Sequence, residues 1–221
     1  MTDEARNKGS DSTRRSFLKT STALAGAALA GVPGPAGANN KRHPKRGGTL
    51  RFGTREDTVG LDTHRNIIYS VSTPLTAITA GLVDFDDKME AKPGAAESWE
   101  ASSDLKTWTF KLRRGAEYHN GQTIDAESVK WNIDRYRTTE GSARTGELAP
   151  VASVDVVDPA TVKFNLKAPF SPLLAILVDR AGMMVSRKAV EAGGADFTRK
   201  AFKAGTGPFV LTEAVNNDHI T

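Results

Sequence analysis

The sequence predicts a mixed α/β fold, because alternating strands are interspersed with amphipathic helices. The clearest strand covers 107–113, where every second residue (Trp108, Phe110 and Leu112) is apolar. The clearest helix covers 125–137: it begins with a favourable N-cap aspartate, and apolar residues recur at spacings of three and four. The chain has 221 residues, 38% of them hydrophobic, which suits a packed core.

Shorter elements complete the prediction. Turn residues and changes of hydrophobic period mark their boundaries. We expect strands at 49–53 and 81–85, a helix at 70–80 with Pro74 in its first turn, a hairpin from Val154 to Leu166 around the turn 158–160, a short helix at 173–178, a buried strand at 182–186, a helical turn at 187–192 ended by glycines, and a strand following the glycine turn at 205–207.

Residues 1–38 have the organisation of an export signal: a basic region, a weakly apolar run and a small-x-small cleavage motif. The pattern resembles the signal for twin-arginine translocation, which implies the twin-arginine translocase as a partner during export. An amphipathic N-terminal helix is the alternative. Cleavage is expected after Ala38, and without a cysteine there is no lipobox for a lipid anchor. The motif residues are Arg14, Arg15, Phe17, Leu18 and Lys19, with Ala36 and Ala38 at the cleavage site.

Charge and composition exclude several classes of function. The net charge is +4, and residues 1–38 account for half of it with five basic and three acidic side chains. The basic residues of 41–46 are interpreted as a solvated linker rather than a nucleic-acid or membrane patch. No cysteine is present, which removes disulfides, thiolate metal sites and thiol nucleophiles. The four histidines are too scattered to indicate a metal site.

Three motifs invite a chemical interpretation, and for each a structural one is favoured. The glycines of 205–207 precede a proline, which lacks the backbone donor that a phosphate would need. The segment 119–121 contains a histidine, but Asn-Gly is first a turn signal. The acidic pair 86–87 does not continue into a calcium-loop pattern. We therefore predict no catalytic residue, cofactor or metal, and a binding function rather than an enzyme.

A series of segments resembles the extracytoplasmic solute-binding proteins, family 5, of the peptide/nickel/oligopeptide ABC importers. The most specific are the strand and turn WTFKLRRGAEYHNG at 108–121 and the turn GTGPF at 205–209. Tyr118 and Asn120 stand where the family often has Phe and Asp. The other matching segments are GGTL at 47–50, GLDTH at 60–64, GLV at 81–83, AESWE at 96–100, AESV at 126–129 and PFSP at 169–172.

The resemblance implies a periplasmic-binding-protein-like type II lobe, with a mixed sheet and packed helices. Because family members are more than twice as long, we expect the chain to be a fragment rather than a genuine mini-protein. The expected domains are the signal peptide at 1–38, a basic linker at 39–46 and the N-terminal part of lobe I at 47–221, with the second lobe and the C-terminal return missing. Such a fragment alone is expected to bind no ligand tightly and to expose apolar surface.

In function, the resemblance implies capture of a peptide or similar small solute outside the cytoplasmic membrane and its delivery to the permease. The protein would be periplasmic or extracytoplasmic, soluble and not lipidated, with no nucleic-acid partner. A truncated non-binding fragment, an exported enzyme and a sensor on the same scaffold are the alternatives. The family also takes nickel chelates, haem, glutathione and sugars, and the sequence does not choose among them.

Two loops, at 62–66 and 179–182, are expected to face the ligand crevice. Arg180 is the principal candidate, as a cation for a carboxylate or other anionic group of the ligand. Its alternatives are a solvated side chain or a structural ion pair with Asp179. The candidate ligand-binding residues are Thr63, Arg65, Asn66, Asp179 and Arg180.

Overall fold

The structure, a computed structural model, describes residues 47–54, 60–65 and 69–221. The chain divides into two units, Met1–Leu50 and Arg51–Thr221, and the elements below belong to the second. The predicted signal peptide and the linker at 39–46 lie outside the described residues. None of the helices in the described ranges is long and apolar enough to cross a membrane.

A four-stranded antiparallel sheet forms the centre of the fold. Its strands, in spatial order, are β3 (Ala96–Ala101), β4 (Thr107–Leu112), β6 (Thr161–Leu166) and β5 (Val151–Asp158). The predicted alternation in β4 is confirmed, because Trp108, Phe110 and Leu112 are all buried. The hairpin β5–β6 is also confirmed, and Asp158 Oδ1 accepts a hydrogen bond from the Ala160 N–H (2.7 Å) at its turn.

Helix α2 (Ala126–Thr138) covers one face of this sheet. As predicted, Asp125 is its N-cap and accepts a hydrogen bond from the Ser128 N–H (2.8 Å). The apolar residues at the predicted spacings, Ala126, Val129, Ile133 and Tyr136, are all buried. They join one hydrophobic cluster with the inner face of the sheet, where the rings of Phe110 and Phe164 meet edge to face, with centroids 5.1 Å apart. Burial of this face stabilises both elements.

Smaller elements surround this core. The predicted helices at 70–80, 173–178 and 187–192 and the strand at 81–85 are confirmed. They are α1 (Tyr69–Ile78), α3 (Leu173–Val178), α4 (Arg187–Gly193) and β1 (Val83–Phe85). Two small sheets are formed by pairs of strands, β1 with β2 (Ala91–Pro93) and β7 (Ala214–Val215) with β8 (His219–Ile220). Two 3-10 turns cover Arg180–Gly182 and Gly194–Thr198.

Two predicted strands are wrong because their backbone groups have other partners. The residues at 182–186 are buried, but only Met183 forms a bridge, with Gly81. The Asn132 side chain instead binds both the N–H and the carbonyl of Val185, at 2.9 and 3.1 Å. After the glycine turn at 205–207, the Phe209 N–H donates to the Ala77 carbonyl of α1 (3.1 Å) rather than to a strand.

Two further predictions are corrected. The segment 49–53 is not a strand, since no described strand pairs with it, and the side chains of Leu50 and Phe52 are exposed. Pro74 is the sixth residue of α1 rather than a residue of its first turn. The alternating pattern at 49–53 marked a potential strand, but a strand also needs a neighbouring edge for its hydrogen bonds.

Candidate functional site

The first candidate loop is held against α2 by a buried ion pair. The Asp62 carboxylate receives two hydrogen bonds from the Arg135 guanidinium, Nη1 to Oδ1 at 2.9 Å and Nη2 to Oδ2 at 2.6 Å. Only 2% of the Asp62 side chain and 12% of the Arg135 side chain are exposed. The carboxylate also accepts a hydrogen bond from the His64 N–H (3.0 Å), which closes the loop locally.

The Asp62–Arg135 pair keeps the carboxylate ionised. Burial by itself would raise the pKa of Asp62, but the hydrogen bonds and the positive charge of Arg135 outweigh it and lower the pKa below its ordinary value. A buried bidentate pair of this kind orients both partners. It therefore fixes the position of the loop at 61–65 against α2.

His64, two residues after Asp62 in the same loop, lies flat against Tyr136. The two ring centroids are 3.6 Å apart, with 25° between the ring planes. His64 is fully buried, and within the described ranges neither ring nitrogen has a hydrogen-bond partner. Burial, followed by the nearby charge of Arg135, lowers the pKa of His64 to about 3. The imidazole is therefore neutral at physiological pH and contributes packing rather than charge.

The second candidate loop meets the other side of the same tyrosine. The Tyr136 hydroxyl lies 2.5 Å from the Arg180 carbonyl oxygen, to which it donates, and 3.2 Å from the Met183 carbonyl oxygen. The loop is also closed by its own turn, in which the Gly182 N–H donates to the Asp179 carbonyl (3.0 Å). Burial raises the pKa of Tyr136, so its hydroxyl keeps its proton and remains a donor.

A third segment, at 139–150, closes over this stack. The Ala143 N–H donates to the His64 carbonyl (2.9 Å), and the Thr145 hydroxyl donates to the Tyr136 carbonyl (3.3 Å). The buried Arg144 guanidinium contacts the Glu147 carboxylate (2.6 Å) in the same segment. The charge of the buried Arg144 is thus paired with that of Glu147.

The five predicted ligand residues have different surroundings. Thr63 is buried, and in the described part of the chain its hydroxyl has no hydrogen-bond partner. Arg65 is exposed, while Asn66 lies outside the described residues. Arg180 Nε lies 3.6 Å from Asp179 Oδ1, and the side chains are 19% and 61% exposed, so the ion pair considered as an alternative for Arg180 is present. The structure brings both loops to one helix.

The residues that join the loops, Arg135 and Tyr136, were not among the sequence-predicted site residues. The helical face at 126–136 did contain Tyr136, as a core residue. A signal was available, because a tyrosine on a buried face normally needs a hydrogen-bond partner for its hydroxyl. The identity of that partner, 44 positions away at Arg180, was not accessible from local patterns.

The motif at 119–121 has a structural role, as predicted. The His119 N–H donates to the Gly205 carbonyl (2.9 Å), and His119 Nε2 lies 2.8 Å from the Gly207 carbonyl oxygen. Asn120 Nδ2 donates to the Ser186 hydroxyl (2.6 Å), which also caps α4. The strand and turn at 108–121 and the turn at 205–209, the two segments most specific for the family resemblance, are therefore in contact with each other. Among the described residues, no cluster of three His, Asp or Glu side chains could hold a metal.

The fold is that of a periplasmic-binding-protein-like type II lobe, with a mixed arrangement of sheets and packed helices. The family model for bacterial extracellular solute-binding proteins, family 5 Middle, matches residues 90–221, and the chain belongs to this family.

Similar proteins agree with this assignment. Over 132 residues the chain is 39% identical to the glutathione-binding protein GsiB of Salmonella choleraesuis (strain SC-B67), an alignment covering 59% of this chain and 25% of that protein. The GsiB of Escherichia coli (strain K12) is 36% identical over 132 residues, with the same coverage. The chain thus spans about a quarter of the length of the curated relatives it matches.

Solved structures give the same result for the fold. MoaA from A.tumefacien R10, in complex with mannopinic acid, is 30% identical with a TM-score of 0.69, covering 75% of this chain and 34% of that chain. The Escherichia coli murein tripeptide binding protein MppA is 26% identical with a TM-score of 0.68, covering 75% of this chain and 36% of that one.

Proposed function

We propose that this protein is the substrate-binding component of an ABC importer, which captures a small solute outside the cytoplasmic membrane and delivers it to the permease. Membership of the solute-binding family supports the binding role. The single observation that carries the site is the convergence of the loops at 61–65 and 179–183 on Tyr136 of α2. Solute binding then stabilises a closed form, which the permease recognises.

The proposed solute is a peptide or a similar molecule that carries a carboxylate. The solutes named for the similar proteins are glutathione, a murein tripeptide and mannopinic acid, all of which bear carboxylate groups. Arg180 is the proposed cation for such a group, with Thr63, Arg65, Asn66 and Asp179 as further ligand-binding residues. A solute carboxylate in this position would compete with Asp179, whose side chain is largely exposed.

The proposal also covers export. Residues 1–38 would direct the chain to the twin-arginine translocase, residues 39–46 would form a linker, and 47–221 would contribute to lobe I. The twin arginine at Arg14 and Arg15 and the small residues Ala36 and Ala38 support it. N-terminal sequencing of the exported protein should find Asn39 first, whereas a mature chain that starts at Met1 would contradict the signal assignment.

Binding is tested by isothermal titration calorimetry on protein made from the complete gene. The panel contains glutathione, short peptides with free carboxyl termini and the same peptides with amidated termini. We expect one-to-one binding at micromolar affinity or tighter for at least one solute, and weaker binding of its amidated form. Absence of heat with every solute would contradict the proposed function, while equal affinity for both forms would contradict the carboxylate preference.

A further inference from the structure

We propose that Tyr136 is a positioning residue, which sets the two candidate ligand loops relative to each other and thereby the place of Arg180. The inference rests on the proposed function, because the loops matter for ligand only if they line the crevice. Its basis is that one buried side chain contacts both loops through different parts: the ring stacks on His64, and the hydroxyl donates to the Arg180 carbonyl.

Tyr136 can perform this role because its own position is rigid. It is fully buried near the end of α2, a helix that is capped by Asp125 and packed on the central sheet. The neighbouring Arg135 adds the bidentate pair with Asp62, so the first loop is held at two consecutive helix residues. A movement of either loop must therefore break a contact with the helix.

The Tyr136 hydroxyl binds the backbone of Arg180, the residue whose guanidinium is the candidate cation. The Arg180 carbonyl accepts hydrogen bonds from Tyr136 (2.5 Å) and from the Met183 N–H (3.2 Å), which closes the 3-10 turn Arg180–Gly182. Without the Tyr136 hydroxyl the Arg180 carbonyl would lose one of its two hydrogen bonds, which would make the present geometry of the turn less favourable. The guanidinium of Arg180 would then sample more positions before it meets a ligand.

The ring and the hydroxyl can be separated by one substitution. Tyr136→Phe keeps the stack on His64 and removes only the hydroxyl. Tyr118→Phe is a matched control, since Tyr118 is also buried and its hydroxyl forms hydrogen bonds with two residues of α2, Ser128 Oγ (2.6 Å) and Asn132 Nδ2 (3.2 Å). Each variant loses one buried hydroxyl, so both are expected to lose similar stability.

The experiment compares both variants with wild type in protein made from the complete gene. The first readout is hydrogen exchange of the backbone amides at 181–184, which should be about five- to tenfold faster in Tyr136→Phe and unchanged in Tyr118→Phe. The second is the dissociation constant for glutathione, or for whichever panel peptide binds more tightly, which should rise about fivefold in Tyr136→Phe alone. A urea titration checks that each variant is folded.

The outcomes are distinguishable. Faster exchange with weaker binding, both confined to Tyr136→Phe, supports the proposal. Equal losses of affinity in both variants would mean a general structural effect and overturn it, as would unchanged exchange at 181–184 or unchanged affinity in Tyr136→Phe. If wild type binds no solute, the proposed function fails, while the exchange comparison still tests whether Tyr136 holds the loop.

Discussion

Replacing Asp62 by asparagine tests whether the buried ion pair fixes the first candidate loop. Asparagine keeps the size of the side chain but removes the charge and one of the two oxygens that accept from Arg135. The guanidinium, with 12% of its side chain exposed, would then lack its counter-charge. Removing one partner of a buried pair costs about 3–5 kcal/mol.

The lower end of this range is expected here, because Arg135 has two other favourable contacts. Its guanidinium lies 5.8 Å from the ring centroids of both Trp131 and Phe197, and such cation–π contacts are worth about 0.5–1 kcal/mol each. We therefore expect Asp62→Asn to lower the free energy of unfolding by about 3 kcal/mol. With a urea dependence of about 2 kcal/mol per molar, the midpoint should fall by about 1.5 M at pH 7.

Asp134→Asn is the matched control, since it makes the same chemical change on α2. The Asp134 carboxylate is paired with Lys130 (2.8 Å) and Arg137 (3.3 Å), but it is 36% exposed. Exposed pairs contribute about 0–1 kcal/mol, so the control should hardly move the midpoint. A loss below about 1 kcal/mol in Asp62→Asn, or one no larger than in the control, would refute the reasoning.

The same pair predicts a pH dependence. The pKa of Asp62 is lower in the folded state than the ordinary 3.8, so the stability it supplies is complete above that value. It is lost as the pH falls through the lower folded pKa. The difference in unfolding free energy between wild type and Asp62→Asn should therefore be the same at pH 7 and pH 5 and smaller at pH 2. A difference that does not change between pH 5 and pH 2 would contradict the assignment of the charge.

Three further predictions concern the stability of the fold. Gly182→Ala should lower the free energy of unfolding, measured in urea, by several kcal/mol, because a Cβ there would overlap the Leu177 backbone carbonyl. Gly146→Ala is the control and should lower it little, because the space around Gly146 is open. Equal effects of the two substitutions would refute the close approach at Gly182. Asp125→Ala should lower the unfolding free energy by about 1 kcal/mol through loss of the α2 cap, and an unchanged midpoint would contradict this. Between roughly pH 6 and 4 the unfolding free energy of wild type should fall by about 1 kcal/mol per pH unit relative to that of His64→Phe. The reason is that His64 takes up a proton in the unfolded chain but stays neutral when buried in the folded one. Parallel pH profiles of the two proteins would refute this.

The elements that the sequence predicts correctly are those whose evidence is local. In β4 the alternation of Trp108, Phe110 and Leu112 matches a strand with one buried face. In α2 the cap and the helical spacing agree with each other. Each of these signals lies within one segment, so no knowledge of the remaining chain is needed to interpret it.

The wrong predictions share a different physical cause, the choice of a distant partner. The segment at 182–186 has the composition of a buried strand and is buried, but the Asn132 side chain takes the backbone groups of Val185. The candidate site is similar. Its loops were predicted as segments, whereas the side chain that joins them, Tyr136, was predicted only as core. Tyr136 is 44 positions from Arg180 and 72 positions from His64 in the sequence, and contacts over such separations leave no periodic pattern.

The central claim, that the loops at 61–65 and 179–183 bind a solute, is tested most directly at Arg180. Calorimetric titration with the tightest panel solute would compare wild type, Arg180→Ala and Arg187→Ala, the last being an exposed arginine on α4 paired with Glu191. We predict at least about tenfold weaker binding in Arg180→Ala, as expected for loss of a charge-assisted contact, and no change in Arg187→Ala. Equal affinity in all three proteins would contradict the claim.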